Sequence, residues 1–423
     1  MIKKSFISLV LIISCIHNSM CVWPFNGTSK TKKAAKNYVH KEETKEYPFS
    51  SGGTLHVENE NNNSDSNSGN VITSQYGTIF NNKGTVITSG TVTVNGKTYQ
   101  GKSISIRGNQ VVIDGKIQDT NDANPNNITI EGHDKELLEL FIKTESNDGD
   151  LECVSSELNI DEKNAFIKTV YKTKDCQASR SYTLKVPKKT FIKLLLTTRG
   201  SITAENIDGN IEEAQTISGN IFLQKINGSI SAKTSSGDNT LDSIQGNATV
   251  FSSSGDNQCS HINGIVNVQS SSGNNTIDHA KNVISQSSSG KNTLETIEEN
   301  GTVFSSSGDN RCSHVNGTVK AQSSSGNNTM NDAKSVIAKS SSGKITLASI
   351  QEEITANTSS GSITVKLGDY RDATIEASTN SGQCKSDVPV NGTKEKKKIK
   401  GTIGKGGPLK SFKTSSGNIN IKK

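Results

Sequence analysis

From Gly200 to Gly361 a glycine preceded by small polar residues returns at a nearly fixed interval, and this spacing limits the chain to folds built from repeated turns. The markers are Gly200, Gly219, Gly237, Gly255, Gly273, Gly290, Gly308, Gly326, Gly343 and Gly361, with gaps of 19, 18, 18, 18, 17, 18, 18, 17 and 18 residues. Many intervals carry a second glycine near the midpoint, as at Gly209, Gly228, Gly246, Gly264 and Gly317. A longer copy is laid over the short one. FSSSGDNQCSHINGIVNVQSSSGNNT at Phe251 returns as FSSSGDNRCSHVNGTVKAQSSSGNNT at Phe304, 53 residues on.

Ser/Gly/Asn repeats of this kind can belong to a disordered polar tract. Aligning the intervals on their glycines argues for order. The fourth residue after the glycine is Ala204, Leu223, Leu241, Cys259, Ile277, Leu294, Cys312, Met330, Leu347 or Val365, and the seventh runs from Ile207 to Ile350 through Ile, Ala and Val only. The segments are short, glycine-broken and rich in β-branched residues, which disfavours helix. The expected fold is all-β: a parallel β-solenoid of about 18 residues per coil and roughly ten coils, each with short strands near +2 to +4 and +11 to +13. Glycine and the serine runs are expected at the corners as permissive turn residues.

Alternation along the first strand sends +2 and +4 inward and +3 outward. The outward column is mostly Thr: Thr203, Thr240, Thr276, Thr293, Thr329, Thr346 and Thr364. The +2 column reads Ile202, Ile221, then Asn239, Asn257, Asn275, Asn292, Asn310 and Asn328, then Ile345 and Ile363. A lone inward Asn is costly, whereas stacked amides satisfy one another from coil to coil. These six are therefore expected to form a structural ladder.

The rest of the chain fits a solenoid with covered ends. A hydrophobic content of 30% and an aromatic content of 4% would make a poor single core for 423 residues, but each coil borrows its neighbours' burial. A net charge of +6 from 47 basic and 41 acidic residues, without aromatic–basic interleaving, gives no nucleic-acid signature. Residues 1–21 read as a signal peptide, with an apolar run from Phe6 to Ile13 too short to span a bilayer. Ile12-Ile13-Ser14-Cys15 resembles a bacterial lipobox, which leaves open a lipid on Cys15, cleavage nearer Cys21, or an uncleaved anchor. Residues 22–48 are expected to be a flexible basic tether. Residues 49–126 hold an opening strand at Thr54 to Glu58 and a Gly/Thr/Asn-rich β insertion with hairpin turns. Residues 127–198 carry longer alternating strands, expected as an N-terminal antiparallel β capping layer over the open solenoid edge. The solenoid fills 199–382 and a closing segment 383–423.

GTLHVENEN, SYTLKVPKKTFIKLLLTTRGSITAENIDGNI, the repeated SSG and GTIGKGGPLKSFKTSSGNINI occur in the order found in a bacterial family of adhesin-like domains, which the chain resembles over roughly residues 48–61 and 127–423. The resemblance implies a secreted or surface β-solenoid with no established activity. The insertion and the near-identical 53-residue copies depart from the family pattern.

Chemistry is sparse. Of seven cysteines, Cys259 and Cys312 stand in the apolar +4 column three coils apart, beyond disulfide reach. Cys153 and Cys176 are the disulfide candidates for an exported protein, and Cys384 has no evident mate. His261, His279 and His314 share the +6 column, with Asp278 as the one carboxylate recurring beside them, too little for a metal site. Asp238, Asp256 and Asp309 lack the spacing of calcium-binding rolls. No acid–base cluster or nucleophile elbow is visible, so no catalytic, cofactor-binding or metal residue is expected. The expected function is that of an exported, adhesin-like, non-catalytic surface or envelope protein. It is expected to offer a polar Ser/Thr/Asn face to a glycan or protein, to bind no nucleic acid, and to meet membrane only through a lipid anchor. The alternatives are a self-assembling structural solenoid and a glycan-active β-helix enzyme.

Overall fold

The computed structural model describes residues 39–50, 53–59, 126–146, 149–173, 176–369 and 372–423, with short strands at 10–12, 72–74, 88–94, 97–107, 110–113 and 116–118. Cys15 and most of the signal-peptide stretch lie outside the described residues.

The chain winds into a parallel β-solenoid. Asn239–Ile244 pairs with the start of Asn257–Ser270 in the register Asn239↔Asn257, Leu241↔Cys259 and Ile244↔Ile262. On the opposite face Ala248–Ser252 pairs with the end of the same strand as Val250↔Val268 and Ser252↔Ser270. The register offset equals the sequence interval, so each column of the alignment becomes a physical stack. Ile202, Ile221, Leu241, Ile277, Leu294 and Leu347 are all fully buried in one continuous core.

Both strands of a coil run further than +4 and +13. The first continues to +7 through a residue at +6 that, in many coils, adopts the left-handed region: Asn206 (φ 60°), Lys225 (53°), Ser243 (59°), His261 (54°), Asp332 (48°) and Ser349 (55°). An L-residue pays for this conformation. The turn it makes places +5 and +6 both outside and returns +7 to the core, which explains why the apolar columns are three apart there rather than two.

The marker glycines have a different role from the one expected. None has a positive φ. They are needed because the corners touch backbone to backbone: a Cβ on Gly273 would lie 1.8 Å from the carbonyl oxygen of Gly255, and one on Gly290 would lie 1.9 Å from that of Gly273. Three residues before each marker, a buried hydroxyl closes the corner. Thr216 Oγ1 accepts from the Gly219 N–H at 3.1 Å and donates to the Gly200 carbonyl one coil away at 2.9 Å. Thr234 repeats the pattern on Gly237 and Gly219 at 3.0 and 3.2 Å.

Sequence order and spatial order part company at both ends. Thr54–Asn59 lies between Asn164–Tyr171 and Phe191–Thr197, and Ile128–His133 between Ala178–Pro187 and Ile202–Ile207, all parallel. The insertion, with its antiparallel strands between residues 72 and 118, thus interrupts a single coil. At the far end Leu409–Thr414 lies between Ile354–Thr358 and Ala373–Thr379, and Ile419–Lys422 between Ile363–Lys366 and Cys384–Ser386. In the first of these, Lys410 takes a core position between Ile354 and Ile375. Its Nζ donates to the carbonyls of Ile350 (2.7 Å) and Glu352 (3.0 Å), and burial pushes its pKa down to about 8.

Antiparallel strands cover both ends. Leu137–Ser146 lies on Ala178–Pro187, and Val154–Ile160 on Asn164–Tyr171. Residues 39–48 correct the tether reading: Val39–Pro48 is a ten-residue strand paired antiparallel to Leu137–Ser146 along its whole length. Its charged alternation hid this, because a cap strand with one face in water needs no apolar run. At the other end the hairpin Asn391–Glu395 and Lys398–Ile403 covers Ala373–Thr379.

Candidate binding face

Interior ladders make the face rigid. In the Asn column each Nδ2 donates to the Oδ1 of the next Asn: 2.8 Å for Asn239–Asn257 and Asn257–Asn275, and 2.9 Å for Asn275–Asn292, Asn292–Asn310 and Asn310–Asn328. Asn239, Asn275, Asn292, Asn310 and Asn328 send another N–H across the coil to the carbonyls of Phe251, Gln286, Phe304, Gln322 and Lys339. At the start of the column, above Ile221, Asn239 Oδ1 is buried without a partner.

A second ladder runs along the glycine corner. The Asp256 N–H donates to Asp238 Oδ1 (2.8 Å), the Asn274 N–H to Asp256 Oδ1 (2.7 Å), and the Asn327 N–H to Asp309 Oδ1 (2.7 Å). The acids of the SGDN corners therefore serve as acceptors for backbone. The midpoint corner does the same with Asn247 and Asn300, which accept from the N–H groups of Ile265 and Thr318.

Between the corners the outward column is a stack of threonines. Thr183, Thr129 and Thr203 are in register, followed after Phe222 by Thr240, after Gln258 by Thr276 and Thr293, and after Arg311 by Thr329, Thr346 and Thr364. Each is half-buried between its neighbours. Their side chains stand outside the ladders, about 4.8 Å apart along the stack where threonines are consecutive.

The histidines of the +6 column have carboxylate partners that sequence reasoning missed. His261 Nδ1 lies 3.0 Å from Asp242 Oδ1, His279 Nε2 lies 3.3 Å from Glu298 Oε1, and His314 Nε2 lies 3.7 Å from Asp332 Oδ2. The partners come from the neighbouring coil, so the signal was a column offset rather than a sequence neighbour such as Asp278. The His261 contact, helped by Gln224 and Ser243, holds the Asp242 carboxyl below its ordinary range.

Cys153 and Cys176 are joined by a disulfide with Cα atoms 5.5 Å apart, packed with Val154 and Ala178 in a small cluster of the cap. Cys259, Cys312 and Cys384 are free and buried. Burial raises the Cys259 thiol to about 12 and raises the other two as well. A thiol held neutral in this way is a core side chain rather than a nucleophile. Closing a loop across 23 residues contributes about 3 kcal/mol. A Cys153→Ser/Cys176→Ser chain is therefore expected to lose about that much stability in the cap. Amide exchange should show the cap opening while the coils beyond Ile221 keep their protection; equal loss of protection throughout would contradict a separable cap.

No curated protein matches the chain. Among solved structures, a proposed cell adhesion protein from Clostridium sporogenes ATCC 15579 is similar at 9% identity, over 91% of this chain and 99% of that one, with a TM-score of 0.17. Residues 264–422 match the family model described as Toastrack DUF4097. The matched stretch takes in the later coils and the whole closing hairpin, including the strands that return between earlier ones. Over this stretch, a little over a third of its length, the chain is similar to the Toastrack DUF4097 family.

Proposed function

We propose that the protein is an exported, non-catalytic, adhesin-like rod that binds a surface glycan or protein along its outward threonine column. The observation that carries this reading is the column itself: hydroxyls at strand spacing, backed by amide and glycine ladders that leave the backbone little freedom. Binding by such a face sums many weak hydrogen bonds without an ordering cost on the protein's side. The Cys153–Cys176 disulfide supports an oxidising compartment. Against end-to-end assembly, antiparallel strands cover both ends of the stack.

The test is binding of the full chain to a glycan array and to immobilised surface proteins, alongside a Thr276→Lys/Thr293→Lys variant. Both positions face outward, so stability should change by no more than about 1 kcal/mol in total. Affinity for the ligand found should fall at least tenfold. Equal binding by the variant, or no ligand on either array, would refute the proposal.

A further inference from the structure

We propose that the closing end of the rod binds a linear anionic polysaccharide along a row of lysines, on the face opposite the threonine column. Charge is distributed unevenly along the chain. Residues 383–423 hold eleven lysines and two acids, whereas residues 1–382 hold 36 basic against 39 acidic residues. A basic end on an otherwise near-neutral chain concentrates positive potential there. The register gives this charge a geometry. Lys339 is paired with Asn357, Asn357 with Lys413, Lys413 with Ser378 and Ser378 with Lys398, across five strands lying side by side. Lys339, Lys413 and Lys398 are all exposed, while Phe412 and Ile399 beside them face the core. Alternate strands set the three lysines about 10 Å apart in a line, close to the length of one disaccharide in an extended chain.

Acid is scarce beside this row. Glu376 is paired with Lys400 at 2.9 Å. That hydrogen bond, and behind it the fields of Lys400, Lys413 and Lys398, hold the Glu376 carboxyl below its ordinary range. One carboxylate thus stands among three lysines. Glu395 stands opposite Lys398 across the hairpin, and the exposed Lys396 and Lys397 at its turn outweigh it. The plain alternative is edge protection, since lysines on an outer strand keep it from pairing with other chains. That accounts for the hairpin but not for Lys339 and Lys413, whose strands are hydrogen-bonded on both sides. A straight row of exposed amines with few carboxylates suits a linear polyanion by charge complementarity. The choice of a polysaccharide over a nucleic acid rests on the exported reading proposed above; the choice of face does not.

The experiment is calorimetric titration of the full chain with hyaluronate, which bears one carboxylate per disaccharide. Dextran serves as the neutral polymer and single-stranded DNA as the rival polyanion. Binding of hyaluronate but not dextran is expected, weakened at least tenfold by Lys339→Gln/Lys398→Gln/Lys413→Gln. Lys339→Arg/Lys398→Arg/Lys413→Arg keeps the charges and should stay within threefold of the unmodified chain. Lys291→Gln/Lys344→Gln/Lys366→Gln removes as much charge from exposed positions outside the row and should change affinity less than twofold. Raising the ionic strength to about 0.15 M should weaken binding further. No binding of hyaluronate, or equal loss in the two Gln variants, would overturn the proposal. Tighter binding of the DNA than of hyaluronate would overturn the ligand class. Thr276 and Thr293 stand on the other face, so this result and the threonine-column result fail independently.

Discussion

Replacing Gly273 by Ala is expected to cost on the order of 4 kcal/mol or more, enough to split the rod or prevent its folding. The added methyl would lie 1.8 Å from the Gly255 oxygen and 2.5 Å from its carbonyl carbon. Both are backbone, so no side chain can swing aside. Nor can the coil simply shift, because Gly290 packs on the Gly273 carbonyl in the same way from the other side. Gly301→Ala is the matched control. There the new methyl meets Leu294 Cδ1 at 2.9 Å, the end of a movable side chain, in a column shared with Val283 and Val319. Its effect should stay within about 1.5 kcal/mol of zero. Urea unfolding followed by circular dichroism measures both, and similar values for the two would contradict the backbone-contact account.

Asn292→Leu is expected to cost about 3–5 kcal/mol, whereas Asn239→Leu should cost less than about 1.5. In the middle of the column, losing Asn292 strands the Asn275 amide proton and the Asn310 Oδ1 and takes partners from Ser285 Oγ and the Phe304 carbonyl. At its start, Asn239 already carries an unpaired Oδ1 above Ile221. Leucine there moves the boundary of the amide column up one coil: Asn257 inherits the unpaired oxygen, and the one further loss is the bond to the Phe251 carbonyl. The same chemical change thus has two outcomes set by position. Denaturation midpoints of the two variants, measured side by side, decide it; equal losses would mean that the amides act singly.

The coil itself was legible because a parallel register equal to the repeat turns every column of the alignment into a contact. Leu241, Ile277 and Leu294 announced the core in this way. Features that depend on two coils at once were hidden. The hydroxyl three residues before each glycine looked like part of a serine run, although Thr216 and Thr234 in that place share a bonding role with serines elsewhere. The left-handed +6 position is occupied by Asn, His and Asp, which favour that region, but also by Lys and Ser, so no single residue type marked it in the sequence. His261 and Asp242 are 19 residues apart and meet only through the stagger of the coils. Val39–Pro48 escaped notice because a strand can be recruited by pairing alone, without an apolar face of its own. The return of Leu409–Thr414 and Ile419–Lys422 between earlier strands leaves no local mark, and a core lysine at 410 reads as one more charge in a basic tail.

That return matters for how the rod would bear load. Ile419–Lys422 has hydrogen-bonded partners along both edges, Ile363–Lys366 and Cys384–Ser386. Tension applied along this strand therefore acts in shear on two ladders at once, where an edge strand would resist with one. Freeing it requires drawing a strand out from between two others, a mechanical clamp made by the order in which these coils are laid down.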